Sequence, residues 1–170
     1  TDESRREQNA THVKSLPLRF ANADHQGATI MALINGTPGD DNLVGTLLAD
    51  TINGFAGNDT LTGLDGDDTI NGGAGNDSID GGVGDDILNG NQGDDSILGG
   101  DGNDQISGGA GNDTVDGGAG DDTVHGNAGD DIIDGGLGND HLFGDAGIDT
   151  INGGDGNDVI DGGAGNDILS

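Results

Sequence analysis

Cysteine, tryptophan and tyrosine are absent from the 170 residues, and phenylalanine occurs only three times. Without a thiol there are no disulfides and no thiolate metal sites, and cysteine usage does not choose between oxidising and reducing compartments. So few aromatics beside 38 glycines exclude an ordinary two-layer globular core. Long apolar runs are missing as well: the longest spans residues 30–34, far short of the roughly 20 residues of a membrane-spanning helix. The first residues, TDESRREQ, contain neither an initiator methionine nor the apolar stretch of a secretory signal. A processed chain, or a piece of something longer, is therefore expected.

Basic residues are scarce. All four (Arg5, Arg6, Lys14 and Arg19) fall within residues 1–35, where Asp2, Glu3, Glu7 and Asp24 balance them. The whole net charge of −29 is thus carried by residues 36–170, which hold no lysine or arginine. Such a surface repels nucleic acid and anionic lipid and attracts cations, so neither a nucleic-acid partner nor a membrane span is expected. Taken by composition alone, this acidity suits a disordered, solvating tail.

The order of the residues argues otherwise. From Gly36 the chain divides into fifteen nine-residue units without insertion or deletion, and 15 × 9 = 135 accounts for residues 36–170. Position one is glycine throughout, and position four is glycine in every unit except the second, GTLLADTIN, which has Leu48. Position eight is always leucine, isoleucine or valine, from Leu43 to Leu169. Position six is always aspartate: Asp41, Asp50, Asp59, Asp68, Asp77, Asp86, Asp95, Asp104, Asp113, Asp122, Asp131, Asp140, Asp149, Asp158 and Asp167. A disordered tail has no need of aliphatic residues in strict register.

The period predicts the local structure. Positions seven to nine read as a short strand with its middle side chain turned inward, and positions one to six as a turn rich in Gly, Asn and Asp. Two units close one 18-residue coil, with the two aliphatic rows facing each other across a thin core. The predicted fold is all-β: a solenoid of two parallel sheets with about 7.5 coils from the fifteen units, since each coil uses two.

Stacking sets each aspartate about 4.8 Å from the aspartate two units on. Two unit charges at that distance repel by about 0.9 kcal/mol in water and about 3.5 at an effective dielectric near 20. Repeated down both edges, this opposes folding unless positive charge sits between the carboxylates. Hard carboxylate and backbone oxygens in a tight turn favour Ca²⁺, which takes six to eight oxygens in irregular geometry, over Mg²⁺. Eight odd-numbered and seven even-numbered units leave 7 + 6 = 13 gaps, so up to about 13 Ca²⁺ are expected.

At these residues the sequence resembles the RTX family, the haemolysin-type calcium-binding repeats GGxGxDxUx of bacterial secreted toxins, proteases and lipases, over residues 36–170. The resemblance implies a right-handed parallel β-roll with Ca²⁺ in the turns. Each ion would take the carbonyls of positions two and four and the aspartate of one turn, then the carbonyls of positions one and three and the aspartate two units on. One such site would be Gly73, Gly75 and Asp77 with Gly90, Gln92 and Asp95. The resemblance also implies export through a type I secretion apparatus and an extracellular or cell-surface location, with folding where Ca²⁺ is plentiful. Such export signals usually lie at the extreme C-terminus. The sequence stops at Ser170 with neither such a signal nor a polar cap, which suggests an excised piece whose open end suits end-to-end self-association.

Upstream, GATIMALIN (27–35) keeps Gly27 and Ile34 but has Ala32 where aspartate belongs, and reads as a decayed N-terminal capping unit. Residues 1–26 read as a linker or the remnant of an upstream segment. No catalytic motif is present. The glycine-rich stretches lack the lysine and helix of a phosphate loop, an EF-hand needs a glutamate that occurs only at Glu3 and Glu7, and the four histidines form no HExxH. His125 and His141 fall at outward positions. Two non-catalytic alternatives share the fold: an adhesin or surface-layer spacer, and an ice or solid-surface binder using Thr51, Thr60, Thr69, Thr114, Thr123 and Thr150. The expected function is calcium-dependent folding in support of a larger secreted protein, not enzymatic activity.

Overall fold

The fold, described over residues 31–170 by a computed structural model, consists of sixteen strands and no helix. The strands alternate between two eight-stranded parallel sheets, so that each sheet holds every second strand in sequence order. Every pairing joins residue i to residue i+18: Ile52 lies opposite Ile70 in one sheet and Leu61 opposite Ile79 in the other. This is a β-solenoid of about eight coils. The strand that the fifteen repeat units do not account for is β1 (Leu33–Asn35), which pairs with β3 (Thr51–Ala56) and lies in the stretch read as a decayed capping unit. The linker assigned to residues 1–26, and residues 27–30 of that unit, lie outside the described residues.

The core is a double file of aliphatic side chains. Ile34 and twelve position-eight residues from Ile52 to Ile151 are buried, with Leu43 and Ile160 partly buried against them. At the last coil Leu169 is 49 % exposed. A file one side chain wide is what a nine-residue period can supply, because each unit turns only one large side chain inward.

The strands are longer than the period suggests. The ten from β3 to β12 (Ile132–Leu137) each have six residues, positions seven to nine continuing into positions one to three of the next unit. The turn therefore contracts to positions four to six. Position one, expected in the turn, also faces inward, and Gly54 and Gly72 are buried beside Ile52 and Ile70. The extension is possible because position two takes a left-handed backbone from Phe55 onward, which swings the chain out of the pleat while the ladder to the next coil is kept. Cross-coil bonds persist through the turn, as in Gly75 N–H to the Gln92 carbonyl at 2.8 Å and Ser96 N–H to the Asp77 carbonyl at 2.9 Å.

The six threonines of position seven are divided by the alternation. Thr51, Thr69 and Thr123 lie in one sheet, and Thr60, Thr114 and Thr150 in the other, with Ile87 and Ile132 interrupting the two ranks.

Candidate metal centres along both edges

The position-six aspartates point into the solenoid at its two edges. The twelve from Asp50 to Asp149 are at most 3 % exposed, while Asp41, Asp158 and Asp167 are half-buried near the ends. Their two carboxylate oxygens have different surroundings. From Asp50 to Asp167, one oxygen, Oδ1, accepts the backbone N–H of the position-six residue one coil earlier, at 2.6–3.1 Å. In eleven of them, Asp59 through Asp149, the other oxygen, Oδ2, is buried and has no hydrogen-bond partner.

An unsatisfied buried acceptor costs about 1–3 kcal/mol, and a charged one more. Eleven in register cannot be incidental to the fold. Position-one glycine explains the room: a Cβ on Gly72 would run into Asp77 Oδ2 and come within 2.9 Å of the Gly90 carbonyl oxygen. The missing methyl leaves a space between oxygen atoms of two successive turns.

The residues that the resemblance implied for one site, Gly73, Gly75, Asp77, Gly90, Gln92 and Asp95, belong to the successive turns 72–77 and 90–95. Asp77 Oδ2 and the Gly90 carbonyl face each other across Gly72. The Gly75 carbonyl stands over Gly93, the Gln92 carbonyl turns back to accept from Gly75 N–H at 2.8 Å, and Asp95 Oδ1 accepts from Asp77 N–H at 2.7 Å. Gly73 lies opposite Asn91 in the strand register; one coil either way, the position-two carbonyls of Phe55 and Asn91 face Gly73 and Gly109. Among the described residues no three side chains of His, Asp or Glu converge on a metal-sized site. A cation here must draw on backbone carbonyls, because each gap is bordered by the carboxylates of only two turns.

Electrostatics agree with that arrangement. Burial raises the carboxyls of Asp86 and Asp122 to about 7, and those of Asp68, Asp95 and Asp131 to about 6, with neighbouring aspartates adding repulsion and the accepted backbone N–H opposing the rise. Without counter-charge these carboxyls keep their protons to higher pH than an exposed aspartate does. The oxygen set (carboxylate and peptide carbonyl) suits a hard cation with flexible coordination.

The same pattern is read by a model of the RTX calcium-binding nonapeptide repeat family, four copies long, which matches seven overlapping segments running together from residue 35 to 169. The chain belongs to the RTX calcium-binding repeat family. It is a calcium-binding β-roll, and the orphaned Oδ2 atoms show that its own residues fit the ion. A comparison with curated proteins returned no match.

Two features of the RTX roll were not legible beforehand. Position five is Asn or Asp in every unit except those with Ala49 and Ile148, and its Oδ1 accepts the N–H of the position-five residue one coil on, as from Asp94 N–H to Asn76 at 3.1 Å. Ile148 N–H donates to Asp130 Oδ1 at 2.8 Å, but Ile148 has no side-chain oxygen to extend the ladder. The recurrence of Asn and Asp at position five was the available signal. The second feature is Thr37 and Thr46 at position two, whose N–H groups each donate to their own turn's Oδ2 at 2.5 Å. Of the histidines, His141 is exposed, while His125 stacks on Phe143 at 4.5 Å and sets Nδ1 2.9 Å from Asp145 Oδ2.

Proposed function

We propose that this RTX β-roll is a calcium-dependent folding module of a larger bacterial protein exported through a type I secretion apparatus, without catalytic activity of its own. It stays unfolded where Ca²⁺ is scarce and orders outside the cell or at its surface. The observation that carries the reading is the eleven buried, partnerless carboxylate oxygens stacked in two columns, one along each edge. In the metal-free chain at neutral pH they oppose folding, through desolvation and mutual repulsion, so the fold there is conditional on a cation. When bound, Ca²⁺ supplies the positive charge that the carboxylates of neighbouring turns lack.

The chain's own residues do the rest. Position-one glycines keep the gaps open, Oδ1 bonds hold each carboxylate in one orientation, and the aliphatic file aligns successive turns. In the gap between turns 72–77 and 90–95 the proposed ligands are Gly73, Gly75, Asp77, Gly90, Gln92 and Asp95, and the position-six aspartates serve the other gaps in the same way. Coupling between gaps follows from the geometry: Asp95 borders one gap through Oδ2 and the preceding one through Oδ1.

Far-UV circular dichroism in chelator and across a Ca²⁺ titration, with Mg²⁺ as control, tests the folding role. The expected result is a coil spectrum that turns cooperatively to β with Ca²⁺ and not with Mg²⁺. A β spectrum in chelator at neutral pH that Ca²⁺ leaves unchanged would show a fold independent of the ion.

A further inference from the structure

The first two turns, residues 36–41 and 45–50, differ from all that follow. From Phe55 (φ 79°) and Gly73 (φ 121°) onward, position two has a left-handed backbone, whereas Thr37 and Thr46 do not. The peptide N–H of each threonine instead points at its own turn's aspartate, Thr37 to Asp41 Oδ2 and Thr46 to Asp50 Oδ2, both at 2.5 Å. The Thr37 hydroxyl adds a second contact to Asp41 Oδ2 at 2.9 Å. The oxygen left without a partner in eleven later aspartates is therefore satisfied in these two.

A second oxygen is withdrawn as well. In later turns the position-four carbonyl oxygen stands over the glycine one coil on, as Gly75 does over Gly93. A Cβ on Gly57 or Gly66 would instead first meet the carbonyl carbon and Cα of Gly39 or Leu48 and the following amide nitrogen. Neither Gly39 nor Leu48 has the positive φ of the later position-four glycines from Gly57 to Gly156. Leu48 is tolerated, in the one unit without that glycine, because this turn does not use a left-handed backbone there.

Each Oδ2 faces the gap toward the turn two units on, since it shares the space over its own position-one glycine with that turn's carbonyl oxygen. Of the thirteen gaps, Asp59 to Asp149 each present one partnerless oxygen to eleven, and the remaining two (13 − 11 = 2) are those faced by Asp41 and Asp50. We propose that the first turn on each edge closes on its threonine N–H in place of a cation, so that residues 36–53 form a metal-independent N-terminal cap and the roll takes eleven Ca²⁺ rather than thirteen.

This inference rests on the calcium reading, and the test separates the two. Ca²⁺ bound per chain is measured by equilibrium dialysis of the full chain at pH 7.5, for the parent and three variants. The parent is expected to hold eleven, Asp59→Asn with Asp68→Asn to lose at least two, and Asp41→Asn with Asp50→Asn to lose none. Thr46→Gly with Leu48→Gly, which restores the glycines of later turns, should gain one. Thirteen ions in the parent with two lost in the Asp41/Asp50 variant would overturn the cap while leaving the calcium reading intact, and so would an unchanged count in the glycine variant. A parent that binds none would overturn both.

Discussion

Asp95→Asn changes one oxygen whose surroundings are fully defined. Asp95 is 3 % exposed; its Oδ1 accepts Asp77 N–H at 2.7 Å, and its Oδ2 has no partner. Asparagine keeps the accepting oxygen and puts an NH₂ where the partnerless oxygen was, near the Gly108 carbonyl that a Cβ on Gly90 would approach to 2.5 Å. A donor there repels a cation and removes a buried charge. At Ca²⁺ a hundredfold above its dissociation constant one site contributes about 2.7 kcal/mol. With a urea dependence of about 1–3 kcal/mol per molar, losing it lowers the urea midpoint in saturating Ca²⁺ by roughly 1–3 M. In chelator the sign reverses, because an unsatisfied buried acceptor worth about 1–3 kcal/mol is gone. The assay is urea denaturation by circular dichroism in saturating Ca²⁺ at pH 7.5, with the exposed Asp80→Asn as the control of equal charge change. Equal midpoints for Asp95→Asn and Asp80→Asn would refute the reasoning, since only the charge of the column, and not the gap, would then matter.

Three further outcomes follow from the same geometry. The folded-state carboxyls of Asp68, Asp95 and Asp131 at about 6, and of Asp86 and Asp122 at about 7, lie above the roughly 3.9 of an unfolded aspartate. The metal-free fold therefore binds protons more tightly than the unfolded chain; this stabilisation is full below about pH 4 and lost as pH rises through 6–7. In chelator, β signal should grow on acidification from pH 8 to 4, while the Ca²⁺ needed at pH 6 should exceed that at pH 7.5; β signal that falls on acidification in chelator contradicts this. Gly72→Ala forces a methyl into the gap beside Asp77 Oδ2 and the Gly90 carbonyl, and should destabilise the Ca²⁺-loaded roll by about 1–3 kcal/mol in urea melts, whereas Ala74→Gly on the same strand should not reproduce the loss. Leu64 holds φ at 87°, a conformation costing a non-glycine residue about 1–2 kcal/mol, so Leu64→Gly should raise the thermal midpoint of the loaded roll; a lowered midpoint would show that its contacts outweigh the backbone strain.

How much of this could be read in advance depends on the residue. Ile70 and Leu88 were assignable to the core because position eight repeats without a break, and in a period-nine chain the residues 18 apart must stack. Asp77 and Asp95 were assignable to a cation-binding edge because like charges in such a column need a counter-charge. The glycine of position one was placed in a turn and proved to be strand, because its reason for being glycine is the carboxylate above it rather than a bend. That contact joins residues five apart through the path of the turn and leaves no periodic trace distinct from a turn's own glycine.

The sequence by itself determined the repeat, its register, the inward row, the excess of negative charge and hence the hard-cation chemistry, since all of these follow from which residue types recur at which spacing. Only the tertiary structure decided how the two oxygens of each aspartate divide their work, and why Thr37 and Thr46 set their turns apart. Those outcomes depend on the direction of a single peptide N–H. The local φ and the neighbouring coil set that direction, and residue spacing leaves it open.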